Sequence, residues 1–202
     1  MAARVLGASA AAAAAALVSA PASNFFGGSK APLHSGPVTE ASALISARGI
    51  VNAAHCGFVC TGGDGAPDCR IMDVKGPLDD AMRFSLVSRD FTRKARQLKR
   101  DPRCTLAFHD PRSGGESGYL SLTGTVREVT AAVDRRALWK DSWTLYHTAP
   151  EVAESDVLVW EFTPERMELL DNDRWLRADW APVTLRREGA RWVPAATPRR
   201  AQ

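Results

Sequence analysis

Long apolar runs are missing from this sequence, cysteine is sparse, and neither sign of charge dominates. Four Cys in 202 residues is ordinary density and excludes a small scaffold held together by disulfides. The apolar run beginning at Ala10 is too short and too Ala-rich to span a bilayer, which takes about 20 strongly apolar residues. No other stretch qualifies, so a soluble mature protein without a membrane partner is expected. Hydrophobic content of 45% and charged content of 24% exclude wholesale disorder, collagen and coiled coil. The length allows one domain plus a tail, or two very small domains.

The net charge of +3 belongs to the ends. Arg4 and Lys30 lie in a first segment without acidic residues, and Arg199 and Arg200 close the chain. Setting those four aside leaves 22 basic against 23 acidic side chains in residues 40–198. A nearly neutral body lacks the basic face that displaces counterions from a phosphate backbone, so no nucleic-acid partner is expected.

Residues 1–39 do not read as part of a fold. Twelve of the first 24 residues are Ala, and Ser, Gly and Pro fill much of the rest. Ala favours helix, but the run Ala10–Ala16 has no amphipathic stripe with which to dock. A plastid or mitochondrial transit peptide fits this basic, acid-free composition. A secretory signal with a small-residue cleavage site near Val18-Ser19-Ala20 also fits, as does a plain tail on a cytoplasmic protein. Cys56, Cys60, Cys69 and Cys104 contain no CxxC pair. They read as buried free thiols in strands, in keeping with a reducing compartment.

Residues 39–52 predict a helix that packs Leu44, Ile45 and Arg48 toward a sheet. Strands are expected at 56–61, 69–75 and 82–88, joined by Gly62-Gly-Asp-Gly-Ala-Pro67 and Gly76-Pro-Leu-Asp-Asp80 into an antiparallel meander. Residues 91–100 read as a helix with the stripe Phe91, Ala95, Leu98, capped by Asp90 or Ser88. Asp101-Pro102 stops it. Strands follow at 104–108 and 119–129, then a helix at 131–141. Two more strands, 157–162 and 166–170, flank a turn at Thr163-Pro164. The pattern is mainly β (α+β), a closed or partly open antiparallel barrel with short helices. Trp175, Trp180 and Trp192 could cover its mouth or a subunit interface. The Arg-rich end, residues 186–202, reads as a partly disordered basic tail.

One constellation carries chemistry. Arg70 and Lys75 lie on the second strand, Ser88 ends the third, and Thr92, Arg93 and Lys94 open the next helix. In a meander the second and third strands are neighbours, so these groups can converge at one end of the sheet. Hydroxyls, a guanidinium and an ammonium around a helix N-terminus suit a phosphate. A solvated basic helix face is the alternative, since Arg96, Lys99 and Arg100 continue the run.

The segment Thr92-Arg-Lys-Ala-Arg-Gln-Leu-Lys-Arg-Asp-Pro-Arg-Cys-Thr-Leu-Ala-Phe108 resembles the FMN-binding split-barrel family, which includes the pyridoxine 5′-phosphate oxidases. Arg70-Ile-Met-Asp-Val-Lys75 looks like the R-x-x-x-x-K strand of that family. Thr123-Gly-Thr-Val looks like its later strand with a buried Gly. Helix 131–141 with Trp139 and Trp143, and the two strands after it, look more like the general stress protein branch. The resemblance runs over about residues 40–185. It implies a six- to eight-stranded antiparallel split β-barrel and an FMN cofactor. It further implies a homodimer with flavin between subunits and use as a flavin-dependent oxidoreductase of unknown substrate, with a non-catalytic flavin-binding stress protein or a haem- or bilin-binding split barrel as the alternatives. Arg70, Lys75, Arg93 and Lys94 would hold the FMN phosphate, helped by Ser88 and Thr92. Met72 and Val87 would lie near the ring, Tyr119 stands where the oxidases carry a polar amide, and Trp143 or Trp175 of a second subunit would cover the flavin. The Arg-x-His motif with which the oxidases grip pyridoxine phosphate is absent, because no His follows His147. Some split barrels bind haem, for which His55, His109 and His147 are the candidates. No metal site is expected.

Overall fold

The computed structural model describes residues 38–63, 65–111, 118–150, 152, 155–171 and 182–195. The expected targeting segment up to residue 37, and Trp175 and Trp180, lie outside the described residues. Helix α1, Glu40–Ala53, begins at a capping box in which Ser42 N–H donates to Thr39 Oγ1 and Thr39 N–H to Ser42 Oγ. The expected inward face is displaced by one position. Ala43, Ala47, Ile50 and Val51 are buried, whereas Ile45 is exposed. The two alanines allow the helix backbone close to the sheet, and Arg48 turns outward to Asp80.

The strands are β1 Gly57–Thr61, β2 Asp68–Met72, β3 Phe84–Arg89, β4 Arg103–His109, β5 Gly118–Val129, β6 Val157–Asp171, β7 Val183–Glu188 and β8 Arg191–Pro194. All ladders are antiparallel and form one eight-stranded sheet ordered β2-β1-β4-β5-β6-β7-β8, with β3 on β6. This is the split-barrel α+β architecture, and the expected three-strand meander is not part of it. β2 pairs with β1, but β3 leaves them for β6. Five consecutive residues of β3, Phe84–Ser88, are buried. Phe84 and Leu86 pack in one core and Val87 in another, so both faces of this strand are covered. Lys75 keeps a single bridge to Ser85. Beside it, a Cβ on Gly76 would lie 2.5 Å from the Phe84 ring.

Strand β6 corrects a second expectation. Thr163-Pro164 is no turn but the middle of one 15-residue strand. The register with β5 shifts between Thr123 and Gly124, where Gly124 faces Pro164. Pro164 offers no N–H to the ladder, and a Cβ on Gly124 would stand 2.2 Å from the Thr163 carbonyl oxygen. A bulge at a residue without a side chain lets one strand serve both halves of the sheet.

The main core lies between α1 and the sheet, with Leu106, Leu120, Leu122, Phe162 and Met167 fully buried. A second core gathers Val87, Val129, Trp139, Trp143, Val157 and Val159 under α3, Ala132–Leu138, and the 3₁₀ turn Asp141–Leu145. The tail expected from residue 186 is ordered through the β7–β8 hairpin. Trp192 is buried in the main core, its indole N–H donating to the Asp80 carbonyl and its backbone N–H to Glu40.

The expectation of four free thiols fails at two of them. Cys60 and Cys69 face each other directly across β1 and β2 and form a disulfide. Cys56 and Cys104 are free. Only the hairpin register, with Gly57 opposite Met72, brings the pair together.

Candidate functional site

The eight-residue helix α2, Arg93–Arg100, is placed by its cap and its stop. Thr92 Oγ1 accepts from Ala95 N–H and donates to the Arg89 carbonyl, so Thr92 caps the helix rather than Asp90 or Ser88. The backbone N–H groups of Arg93 and Lys94 precede the first intrahelical bond. Ala95, Gln97 and Leu98 form the buried side. Phe91 is 64% exposed and outside the expected stripe.

Arg70 emerges from edge strand β2 on the face it shares with Asp68, and it meets α2. Its guanidinium donates to Thr61 Oγ1 at 2.8 Å and to Gln97 Oε1 at 3.0 Å. Gln97, 5% exposed, also accepts from Thr61 Oγ1 at 2.7 Å and donates to Asp68 Oδ2 at 2.5 Å. Arg93 reaches Asp68 Oδ1 at 3.2 Å. Lys94 is half-buried, and its ammonium makes no hydrogen bond or ion pair among the described residues. Burial, and then the charge of Arg70, lower its pKa. Burial likewise lowers that of Arg70, with Asp68 opposing and Arg93 adding. Three cations less one carboxylate leave two positive charges, one of them desolvated and without a counterion.

Other expected members sit elsewhere. Lys75 donates to the Ala137 and Trp139 carbonyls, both at 2.8 Å, and so fastens the end of α3. Ser88 is buried and accepts from the Trp160 indole at 2.9 Å. Met72 belongs to the main core, while Val87 and Trp143 belong to the second. The Trp143 indole donates to Asp73 in its own chain. Tyr119 lies on β5, separated from β2 by β1 and β4. Its hydroxyl donates to Glu168, and burial with that carboxylate pushes its pKa up to about 12.

His55 and His109 are exposed. His147 is half-buried against Trp139, and its Nδ1 is buried without a partner. Burial, Arg89 and Lys94 lower its pKa, with Asp156 opposing. Among the described residues no cluster of His, Cys, Asp or Glu is arranged to hold a metal ion.

Sequence reasoning missed Thr61, Asp68 and Gln97. Two of them had a signal. Asp68 stands two residues before Arg70 on the same strand face, and Gln97 stands one turn after Arg93.

Residues 46–171 match the family profile described as pyridoxamine 5′-phosphate oxidase. No curated protein matches the chain. Among solved structures, a protein related to general stress protein 26 from Clostridium acetobutylicum is 22% identical with a TM-score of 0.58, covering 74% of this chain and 96% of that one. A pyridoxamine 5′-phosphate oxidase-related, FMN-binding protein from Nostoc punctiforme is 16% identical with a TM-score of 0.55, covering 78% and 93%. A heme-binding protein from Mycobacterium smegmatis is 21% identical with a TM-score of 0.53, covering 66% and 55%. At these identities the likeness is one of fold.

Proposed function

The chain belongs to the pyridoxamine 5′-phosphate oxidase family, and from that premise we propose that it binds FMN and serves as a flavin-dependent oxidoreductase. The observation that carries this reading is the half-buried Lys94 beside Arg70 and Arg93, whose ammonium meets no carboxylate among the described residues. A desolvated cation without a counterion is costly unless an anion completes it.

The residues fit the group. Arg70, Arg93, Lys94 and the first N–H groups of α2 would hold the phosphate. Thr61 and Gln97 already orient Arg70, so little side-chain entropy is lost when an anion binds. Asp68 trims the site to two positive charges, the complement of a phosphomonoester carrying about −1.5 to −2 at pH 7. Riboflavin lacks that charge, and FAD spreads its charge over two diester groups. Bound flavin supplies hydride and electron transfer. Lys75, Ser88 and Thr92 are left out of the phosphate set because other groups engage them.

Pairing of two copies is part of the proposal. Phe91, Leu145 and Tyr146 are exposed, and Arg89 ties the Tyr146 carbonyl close to α2. Two copies meeting there would close over the ligand. Organelle import through the acid-free N-terminal segment is proposed on its composition alone.

Titration of apoprotein with FMN, riboflavin and FAD tests the reading. Flavin absorption and FMN affinity at least about tenfold above riboflavin are expected, since charge-assisted contacts contribute ~1.5–3 kcal/mol each. Equal affinities, or a Soret band in place of flavin bands, overturn it.

A further inference from the structure

We infer that Cys60–Cys69 is a thiol–disulfide exchange site that controls the order of β2 and, through it, the phosphate cluster; the second half rests on the flavin-binding reading. β2 is five residues long and sits at the sheet edge, hydrogen-bonded to β1 alone. It connects to β1 through a sequence with three glycines, Gly62, Gly63 and Gly65. Its ladder, the ties of Asp68 and Arg70 to Thr61, Gln97 and Arg93, and buried Met72 are its non-covalent constraints, and short edge strands open more readily than central ones.

The disulfide lies one ladder step from the pair Thr61–Asp68 and from the pair Val59–Arg70. Side chains alternate along a strand, so the sulfurs occupy one face and Thr61, Asp68 and Arg70 the other. Cys69 is exposed, and a soluble dithiol reaches it without unfolding the core. A reductant thiolate attacks one sulfur of the pair, the Cys60–Cys69 bond breaks, and the departing thiolate takes up a proton. The second thiol of the reductant then resolves the mixed disulfide. Two electrons pass from the dithiol, which becomes a disulfide, to the two protein cysteines. With the bond cut, Arg70 and Asp68 are held only by the ladder and by Thr61, Gln97 and Arg93.

The test compares air-oxidised full-length chain, the same chain after dithiothreitol, and Cys60→Ser/Cys69→Ser. Peptide mapping should show the Cys60–Cys69 link before reduction. After it, deuterium uptake at 68–72 should rise at least about tenfold in rate, the scale on which a lost cross-link loosens a local element. The FMN dissociation constant should rise at least about fivefold, with reoxidation restoring both. The double variant should match the reduced chain and ignore dithiothreitol. Near-ultraviolet circular dichroism of the buried tryptophans confirms that each form is folded. Absence of the link, or unchanged uptake after its reduction, overturns the exchange site. Raised uptake with unchanged FMN affinity overturns its control of the cluster. Raised uptake with FMN bound in neither state leaves the exchange site standing and removes the flavin reading.

Discussion

Arg70 and Gln97 meet at 3.0 Å, a guanidinium from an edge strand donating to a carboxamide oxygen buried under a helix. Through Gln97 the β2 cation is aimed by the same helix whose first turn supplies Arg93 and Lys94. Gln97→Leu keeps the bulk and removes the acceptor. A lost hydrogen bond to a charged group costs ~1.5–3 kcal/mol. FMN affinity should therefore fall about tenfold or more, with a lower melting temperature, read by flavin fluorescence quenching and a thermal melt.

Lys94→Ala separates ligand binding from folding. Among the described residues the Lys94 ammonium has no partner to lose, and its burial opposes its charge. The substitution should leave thermal stability unchanged or raised while FMN affinity drops about tenfold. With Arg93→Ala added, the drop should deepen. A stability loss with unaltered FMN affinity would assign the residue to the fold alone.

Pyridoxine 5′-phosphate should not be oxidised at a useful rate. A second phosphate needs cations of its own, and on the proposed reading the Arg70, Arg93 and Lys94 group would already hold the first. None of Arg186, Arg187, Arg191, Arg199 and Arg200 is followed two residues later by His. The check is pyridoxal phosphate formation by FMN-loaded protein in air. Turnover on the order of 1 s⁻¹, ordinary for an enzyme, contradicts the expectation.

Acid should weaken the fold through His147. Burial first, then Arg89 and Lys94, hold its folded pKa below the ordinary 6.5, against the pull of Asp156. The unfolded chain therefore binds the proton first. The contribution of neutral His147 is complete above 6.5 and is lost as pH falls from there through the folded value. Urea midpoints at pH 7.5 and 5.5 should differ less for His147→Gln than for the parent protein.

Cysteine labelling should distinguish the two thiols. Burial pushes Cys104 up to about 12, whereas Cys56 is partly exposed. Iodoacetamide at mild alkaline pH should label Cys56 in the folded, unreduced chain and spare Cys104, as read by peptide mass mapping.

Much of this was legible locally. Asp101-Pro102 marks the end of α2, whereas its start falls at Arg93, two residues past the expected 91, because Thr92 and not Asp90 or Ser88 caps it. Alternation in 119–129 matches β5. Arg70, Arg93 and Lys94 could be grouped by type and order alone, and the structure brings them together beside Asp68. Pairing was not legible, because it depends on which strand covers which. The partner of β3 lies more than 60 residues away in β6, and nothing in Phe84–Arg89 names it. Thr163-Pro164 reads as a turn unless Gly124 is known to lie opposite. The contacts of Lys75 with the Ala137 and Trp139 carbonyls were not legible either, because they depend on where α3 packs.

Strand β6 also governs the order of events during synthesis. Among the described strands only β6 pairs with three others, β3, β5 and β7. A nascent chain that has emerged only to residue 156 has made β3 and β5 but not the strand that lies between them. Phe84, Leu86, Leu120 and Leu122, all buried in the finished protein, then lack part of their cover, and the edges of β3 and β5 are unpaired. Such edges and apolar faces are what chaperones bind and what misassociates in their absence. The closing step is therefore late and long-range, which makes it slow, and emergence of the chain past Asp171 supplies the strand that joins β3 to β5.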